Sequence, residues 1–280
     1  MKKLTVFLKR YSLVIGIPLM FLLTWPIDLS NSGVLPIQIP FIVYLFVGWG
    51  FVFASGIMTW LTLGKDGLVR LLKRYLQGRV TWKWYLAAFL LEPACITLGV
   101  YINAAFAGIA PDFSHVMAHE IFGESAKLWL FVLPFFLIDF IANGEEIGWR
   151  GYVLPRLQSK YNALTSSLIL GVLWGLWHLP KFLSHWSAVS FAWFMLHTMV
   201  FAVTLTRLYN GTRGSLLLVT IMHASANTAG IFFPMSNTVS SENMGAYITY
   251  ILLEVAVAII VILVTGPERL SRTEPKQIQN

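Results

Sequence analysis

Charge is what this 280-residue chain has least of: Asp, Glu, Lys and Arg make up only 12% of it, about half of the roughly 25% usual in a soluble domain. With 57% hydrophobic residues and a mean hydropathy of +0.69, that shortfall excludes an ordinary soluble globular protein and indicates a polytopic membrane protein. Cysteine is nearly absent. The single Cys95 rules out an intrachain disulfide and a cysteine-based metal cluster, and its apolar setting reads as inert packing. No internal repeat, low-complexity tract or interdomain linker is visible, so a single domain over 1–280 is expected. The missing repeat also weighs against a transporter that uses its acids as a proton relay. A His-Glu-x-x-His helix, one common zinc-protease signature, is missing too.

What is present is a series of apolar runs. Crossing about 30 Å of hydrocarbon takes roughly 20 residues, and eight runs approach that length: 11–27, 37–63, 84–108, 127–143 with its continuation, 163–183, 188–208, 214–234 and 245–266. The first follows Lys2, Lys3, Lys9 and Arg10, as a signal peptide would, but Thr24-Trp25-Pro26-Ile27-Asp28 closes it instead of a small-residue cleavage site. A retained anchor is therefore expected. The expected fold class is all-α, with eight transmembrane helices. The net charge of +7 is read loop by loop rather than as a nucleic-acid footprint, and no nucleic acid is expected as a partner. Of the 20 Lys and Arg residues, all but Lys127 and Lys181 fall at the N-terminus, in the tail or on alternate loops. The excess of basic residues on cytosolic loops then puts both termini in the cytosol. The protein would be multi-pass in the cell membrane, or in the endoplasmic reticulum membrane of a eukaryote.

The stretch Gly144-Glu145-Glu146-Ile147-Gly148-Trp149-Arg150 spends the chain's scarce charge at the end of an apolar run. An acid inside a bilayer costs at least about 2.5–3.5 kcal/mol and is a functional hypothesis by default. Two adjacent carboxylates repel, which makes one of them a better proton acceptor. Helical spacing places Glu146 beside Arg150 and leaves Glu145 about 100° around the barrel. A juxtamembrane salt-bridge cluster is the plain alternative. Pro155 is the next helix stop, and a helix continued to Leu154 puts Glu145 about 13 Å from its own cytosolic end. Span five carries Trp174-Gly175-Leu176-Trp177-His178 and span seven carries His223-Ala224-Ser225-Ala226-Asn227. His178 lies about 20 Å and His223 about 14 Å along their helices, and His223 and Asn227 share a face. Taken singly, each histidine reads as a packing residue. Together, Glu145, His178, His223 and Asn227 gather from three helices at similar depth, which is costly without purpose.

The ordered set Glu-Glu-x-x-x-Arg (145, 146, 150), aromatic-x-x-x-His (174, 178) and His-x-x-x-Asn (223, 227) resembles the CPBP (Abi/CAAX) family of intramembrane proteases, similar to the type II CAAX prenyl endopeptidases. The motifs cover about 145–227, within an expected catalytic core of about 126–235 and a polar cavity opening toward the cytosolic half. One departure is Trp174, where the family pattern usually has phenylalanine. The resemblance implies an intramembrane endopeptidase acting on a hydrophobic, prenylated or membrane-embedded peptide. Glu145 and His178 would activate a water, while His223 and Asn227 would hold the oxyanion. Glu146, Arg150 and Trp174 would support them. Zinc on Glu145, His178 and His223 is one option, with an open position for water; a metal-free, glutamate-dependent mechanism is preferred. A non-catalytic membrane scaffold or a bacteriocin self-immunity protein of the same fold is the alternative.

Other polar residues carry plainer readings. His115 and His119 with Glu120 read as a solvated amphipathic face more than a metal site. Glu92, Asp139 and Glu254 are further intramembrane acids that can simply bond freed backbone or a neighbouring helix. His185 and His197 have no spaced partner and read as packing or interface residues. Trp25, Trp82, Trp84 and Trp186 fit an aromatic belt.

Overall fold

The structure, a computed structural model, describes residues 2–108, 110–123, 127–183, 190–235 and 244–272; His185, Trp186 and Lys276 lie outside them. Every regular element among the described residues is helical. An amphipathic α1 (Lys2–Arg10) leads into α2 (Ser12–Asn31). The second apolar run becomes helical later than expected. Pro36 and Pro40 delay it, only a short helix Phe41–Leu45 forms there, and α3 (Trp49–Lys73) follows with a kink at Gly64, whose φ is 68°. Next come α4 (Trp82–Ala107) and α5 (Val132–Ala142), then α6 (Ile147–Gln158), whose first seven residues are π-helical. The remaining helices are α7 (Ala163–Trp177), α8 (Leu179–Leu183), α9 (Phe191–Gly211), α10 (Leu216–Phe232) and α11 (Gly245–Thr265).

Four helices, α2, α4, α9 and α11, are long and apolar enough to cross a bilayer, and the bent pair Leu128–Ala142 with α6 makes a fifth. Their outer faces expose large apolar side chains such as Phe106, Leu130 and Leu263, the surface of a multi-pass membrane protein. α3 has the length but is less apolar, and the helices α7 and α10 are apolar but shorter. The reason is position: α10 packs against α4, α5 and α9, and α7 packs along α9. A helix surrounded by protein needs no continuous lipid-facing surface.

Two expected helices are broken, and both breaks fall at the motifs. The fourth run is not one helix to Leu154: α5 and α6 meet at 42°, so the straight-helix depth of Glu145 does not apply. Asn143 leaves helical geometry (φ −76°, ψ 86°) while its N–H still bonds the Asp139 carbonyl at 2.7 Å, closing α5. Its side-chain Oδ1 then accepts from the Glu145 N–H at 3.2 Å, opening the next turn. Gly144 permits the crossing, because a Cβ there would lie 2.5 Å from the Gly48 carbonyl oxygen. Span five likewise ends at His178, just ahead of Leu179-Pro180, and resumes as α8. Pro180 has no N–H to bond the carbonyl four residues back, which interrupts the helical ladder there.

Gly144→Ala is expected to destabilise the folded protein by about 1–3 kcal/mol through overpacking. Gly56→Ala, whose Cβ would meet nothing closer than Leu68 Cδ1 at 3.9 Å, should be neutral or slightly stabilising. Thermal unfolding of the two variants in detergent checks the contrast.

Candidate active site

The bend between α5 and α6 delivers the two glutamates to opposite neighbours. Glu146 is fully buried, and its Oε1 accepts from Arg150 NH1 and from His223 Nδ1, both at 2.8 Å. Arg150 is equally buried, and its guanidinium lies 4.8 Å from the Trp174 ring centroid. The i,i+4 pair expected from spacing is present, now inside a π-helical turn. Such turns often mark functional sites.

Glu145, only half-buried, turns the other way. Its Oε2 accepts from the indole Nε1 of Trp174 at 2.8 Å. The same tryptophan's backbone carbonyl lies 2.9 Å from His178 Nδ1. A carbonyl only accepts, so Nδ1 carries the proton and the neutral imidazole keeps its lone pair on Nε2. Trp174 thus anchors the acid through its side chain and the imidazole through its backbone. Trp177 and Phe194 flank His178, at 4.5 and 4.8 Å between ring centroids. Trp177 is itself pinned to α2, donating from Nε1 to Thr24 Oγ1 at 2.7 Å and accepting at its carbonyl from Trp25 Nε1 at 2.8 Å. The indole at position 174 therefore contributes a hydrogen-bond donor, beyond the wall surface expected of any aromatic there.

On α10, His223 is buried and Asn227 half-buried. His223 pairs with Glu146, and Asn227 Nδ2 contacts both carboxylate oxygens of Asp139 at 3.2 and 3.4 Å. Asp139 is the member that spacing did not single out. It joins because the α5–α6 bend brings the last turns of α5 against α10. The half-buried Glu145, His178, Asn227 and Asp139 form a more accessible set, backed by the buried Glu146, Arg150 and His223.

The other polar candidates settle elsewhere. His197 does have a partner, Glu254, whose Oε2 is 2.7 Å from its Nδ1. Tyr250 Oη lies 3.1 Å from Glu92 and 2.9 Å from Glu254. These residues make a second buried cluster between α4, α9 and α11. His119 Nε2 contacts the Phe113 carbonyl at 3.1 Å, and Glu120 is exposed. Cys95 is buried among apolar neighbours. Among the described residues no three His, Cys, Asp or Glu side chains converge so as to hold a metal ion.

Fold and site together define a multi-pass, all-helical membrane protein with an acid, two imidazoles and an amide grouped where its helices break. Residues 125–229 match the family described as type II CAAX prenyl endopeptidase Rce1-like. The chain is also 29% identical over 177 residues to "CAAX prenyl protease 2" of Methanococcus maripaludis, an alignment covering 59% of this chain and 61% of that relative's length. Both similarities support the CPBP (Abi/CAAX) family recognition carried by the motifs.

Arg150→Ala would strand the buried Glu146 carboxylate, and breaking one partner of such a pair costs about 3–5 kcal/mol. Glu145→Gln, at a half-buried position, should leave the thermal unfolding temperature nearly unchanged. Trp174→Phe keeps the ring wall but deletes the donor to Glu145. A hydrogen bond to a charged group contributes about 1.5–3 kcal/mol, so any rate that depends on Glu145 should fall about tenfold or more in this variant while folding is retained.

Proposed function

We propose that the chain is an intramembrane endopeptidase that hydrolyses a peptide bond of a hydrophobic, prenylated or membrane-embedded peptide. The observation that carries the proposal is the double use of Trp174. One residue positions a half-buried carboxylate and the lone-pair nitrogen of an imidazole, the two groups needed to activate a water. The family match and the relative's name support the same reading.

In this mechanism a water sits between Glu145 and His178. Glu145 takes its proton and His178 Nε2 accepts a hydrogen bond that orients it. The water oxygen bonds to the scissile carbonyl carbon, and the negative charge moves to the carbonyl oxygen. Asn227 Nδ2, whose two protons exceed what Asp139 needs, donates to that oxygen. His223 donates from Nε2 when both its nitrogens carry protons, a form balanced by Glu146 on the Nδ1 side. Glu145 then returns the proton to the leaving nitrogen as the C–N bond breaks. No metal enters any step. Arg150 and Glu146 act as positioning residues.

The eight apolar runs are proposed as eight crossings, with α7–α8 and α10 forming the protein-lined interior. Both termini and the cavity mouth face the basic, cytosolic side. The protein would sit in the cell membrane, or in the endoplasmic reticulum membrane of a eukaryote.

Cleavage is to be followed by mass spectrometry of membrane peptides with and without the protein. Glu145→Gln and His178→Ala should each lower the rate by about 10²–10⁴, and Asn227→Ala by about 10²–10³, with unfolding temperatures retained. Treatment with a strong chelator should leave the rate unchanged. Undiminished cleavage by Glu145→Gln would sink the enzyme mechanism, while loss of activity on chelation, restored by zinc, would sink its metal-free form.

A further inference from the structure

A polar cavity lies away from the glutamates, where the α1–α2 junction, the kink of α3 and the C-terminal end of α6 meet. It measures about 340 Å³ and is lined by Lys9, Arg10, Ser12, Leu13, Thr62, Leu63, Arg156, Ser159 and Lys160. That volume falls within the roughly 300–1,000 Å³ of small-molecule sites. Four of the nine lining residues are cations and none is an acid. The ion pairs of Glu146 and Glu254 lie elsewhere.

The cations are arranged rather than scattered. The Arg156 guanidinium stacks 3.7 Å from the Tyr152 ring centroid, and its NH1 donates to the Tyr152 carbonyl at 2.8 Å. Tyr152 in turn donates to the Ser12 carbonyl at 2.8 Å, tying α6 to the start of α2. Arg156 is thereby held in place with most of its five N–H donors still unspent. Lys9, Arg10 and Lys160 are exposed around it. Unpaired like charges facing one cleft repel each other, and an anion removes that cost.

The surroundings select the kind of anion. The cleft sits at one end of the membrane-length α2, and the residues next to its lining, Val14 and Leu61, are exposed apolar side chains. α1 presents Leu4, Val6 and Phe7 outward beside Lys9 and Arg10, the pattern of a helix lying in the bilayer interface. We propose that this cavity binds the phosphate-bearing headgroup of an anionic lipid, whose acyl chains lie along Val14 and Leu61. Basic pockets between helices at a membrane surface are suited to such headgroups.

The test uses the full-length protein in detergent micelles, with native mass spectrometry as the readout. The probes are phosphatidylglycerol, phosphatidylcholine and inorganic phosphate. Phosphatidylglycerol should be retained in preference to phosphatidylcholine, and inorganic phosphate alone should not displace it. Lys9→Gln/Arg10→Gln/Lys160→Gln should weaken retention about tenfold or more, each basic residue at a charged surface contributing several-fold. The charge-matched Lys73→Gln/Arg79→Gln/Lys83→Gln, at exposed residues outside the cavity, should retain the lipid as the parent does. Should the first triple variant fail to fold, Lys160→Gln alone should weaken retention about fivefold. Equal weakening in both triple variants would show diffuse attraction and overturn the site. Displacement by inorganic phosphate would overturn the lipid as its occupant, leaving a free-phosphate site.

Discussion

The Glu146 carboxylate is the fixed point of the interior. It receives Arg150 from its own helix and His223 from α10, with no exposure of either Glu146 or Arg150. Burying a carboxylate and a guanidinium costs several kcal/mol each before their attraction is counted, and an apolar replacement of similar shape is often as stable. The pair is therefore better understood as a device for register than as a source of stability. Rotating α6 by one residue would replace Glu146 with Glu145 or Ile147 against His223. Either change leaves a charged or polar group without its counterpart, so the helix has one acceptable face.

That constraint propagates outward. With Glu146 committed to α10, Glu145 must project toward α7, where Trp174 meets it. The geometry needs the chain to turn helical again at Glu145, just ahead of α6, and three local features supply this. Asn143 closes one helix and caps the next, Gly144 lets the crossing run against Gly48, and the π-helical turn shifts the side-chain direction over Ile147–Val153. His178 is placed by a second break of the same kind, at the end of α7. Free helix ends inside a membrane are tolerated only where protein or a polar cavity surrounds them. Their coincidence with the polar motifs is thus one structural fact with two faces.

What was legible in the sequence follows from what spacing encodes. Neighbours on one helix are fixed by periodicity, so Glu146–Arg150 and the shared face of His223 and Asn227 could be read directly. Partners across helices are set by packing angle and depth, which no spacing records. His223 therefore finds Glu146 rather than Glu145, Asn227 finds Asp139, and His197 finds Glu254. The apolar runs located every long helix, but hydropathy cannot show which are wrapped in protein, so α7 and α10 fall short of a lipid-facing length. The break at Asn143 was hidden for another reason: the obvious breaker, Pro155, lies further on, and a side-chain cap does the work instead.

The acids of the interior also differ in how they are accommodated, and that difference singles out one of them. Glu146 is met by the Arg150 guanidinium and the His223 imidazole. Glu92 and Glu254 both lie within hydrogen-bond distance of Tyr250 Oη, which has a single proton to give. Both contacts can be hydrogen bonds only if one carboxyl carries its own proton, and a neutral acid suits a site walled by apolar helices. Asp139 is occupied by an amide. Glu145 and Asp139 are both half-buried with one neutral donor. The Asn227 amide spans both oxygens of Asp139, while Trp174 takes only Oε2 of Glu145, so Glu145 keeps a carboxylate oxygen for an incoming proton. A proton acceptor must be desolvated enough to want the proton and open enough to receive it. Among Glu92, Asp139, Glu145, Glu146 and Glu254, the surroundings of Glu145 meet both conditions.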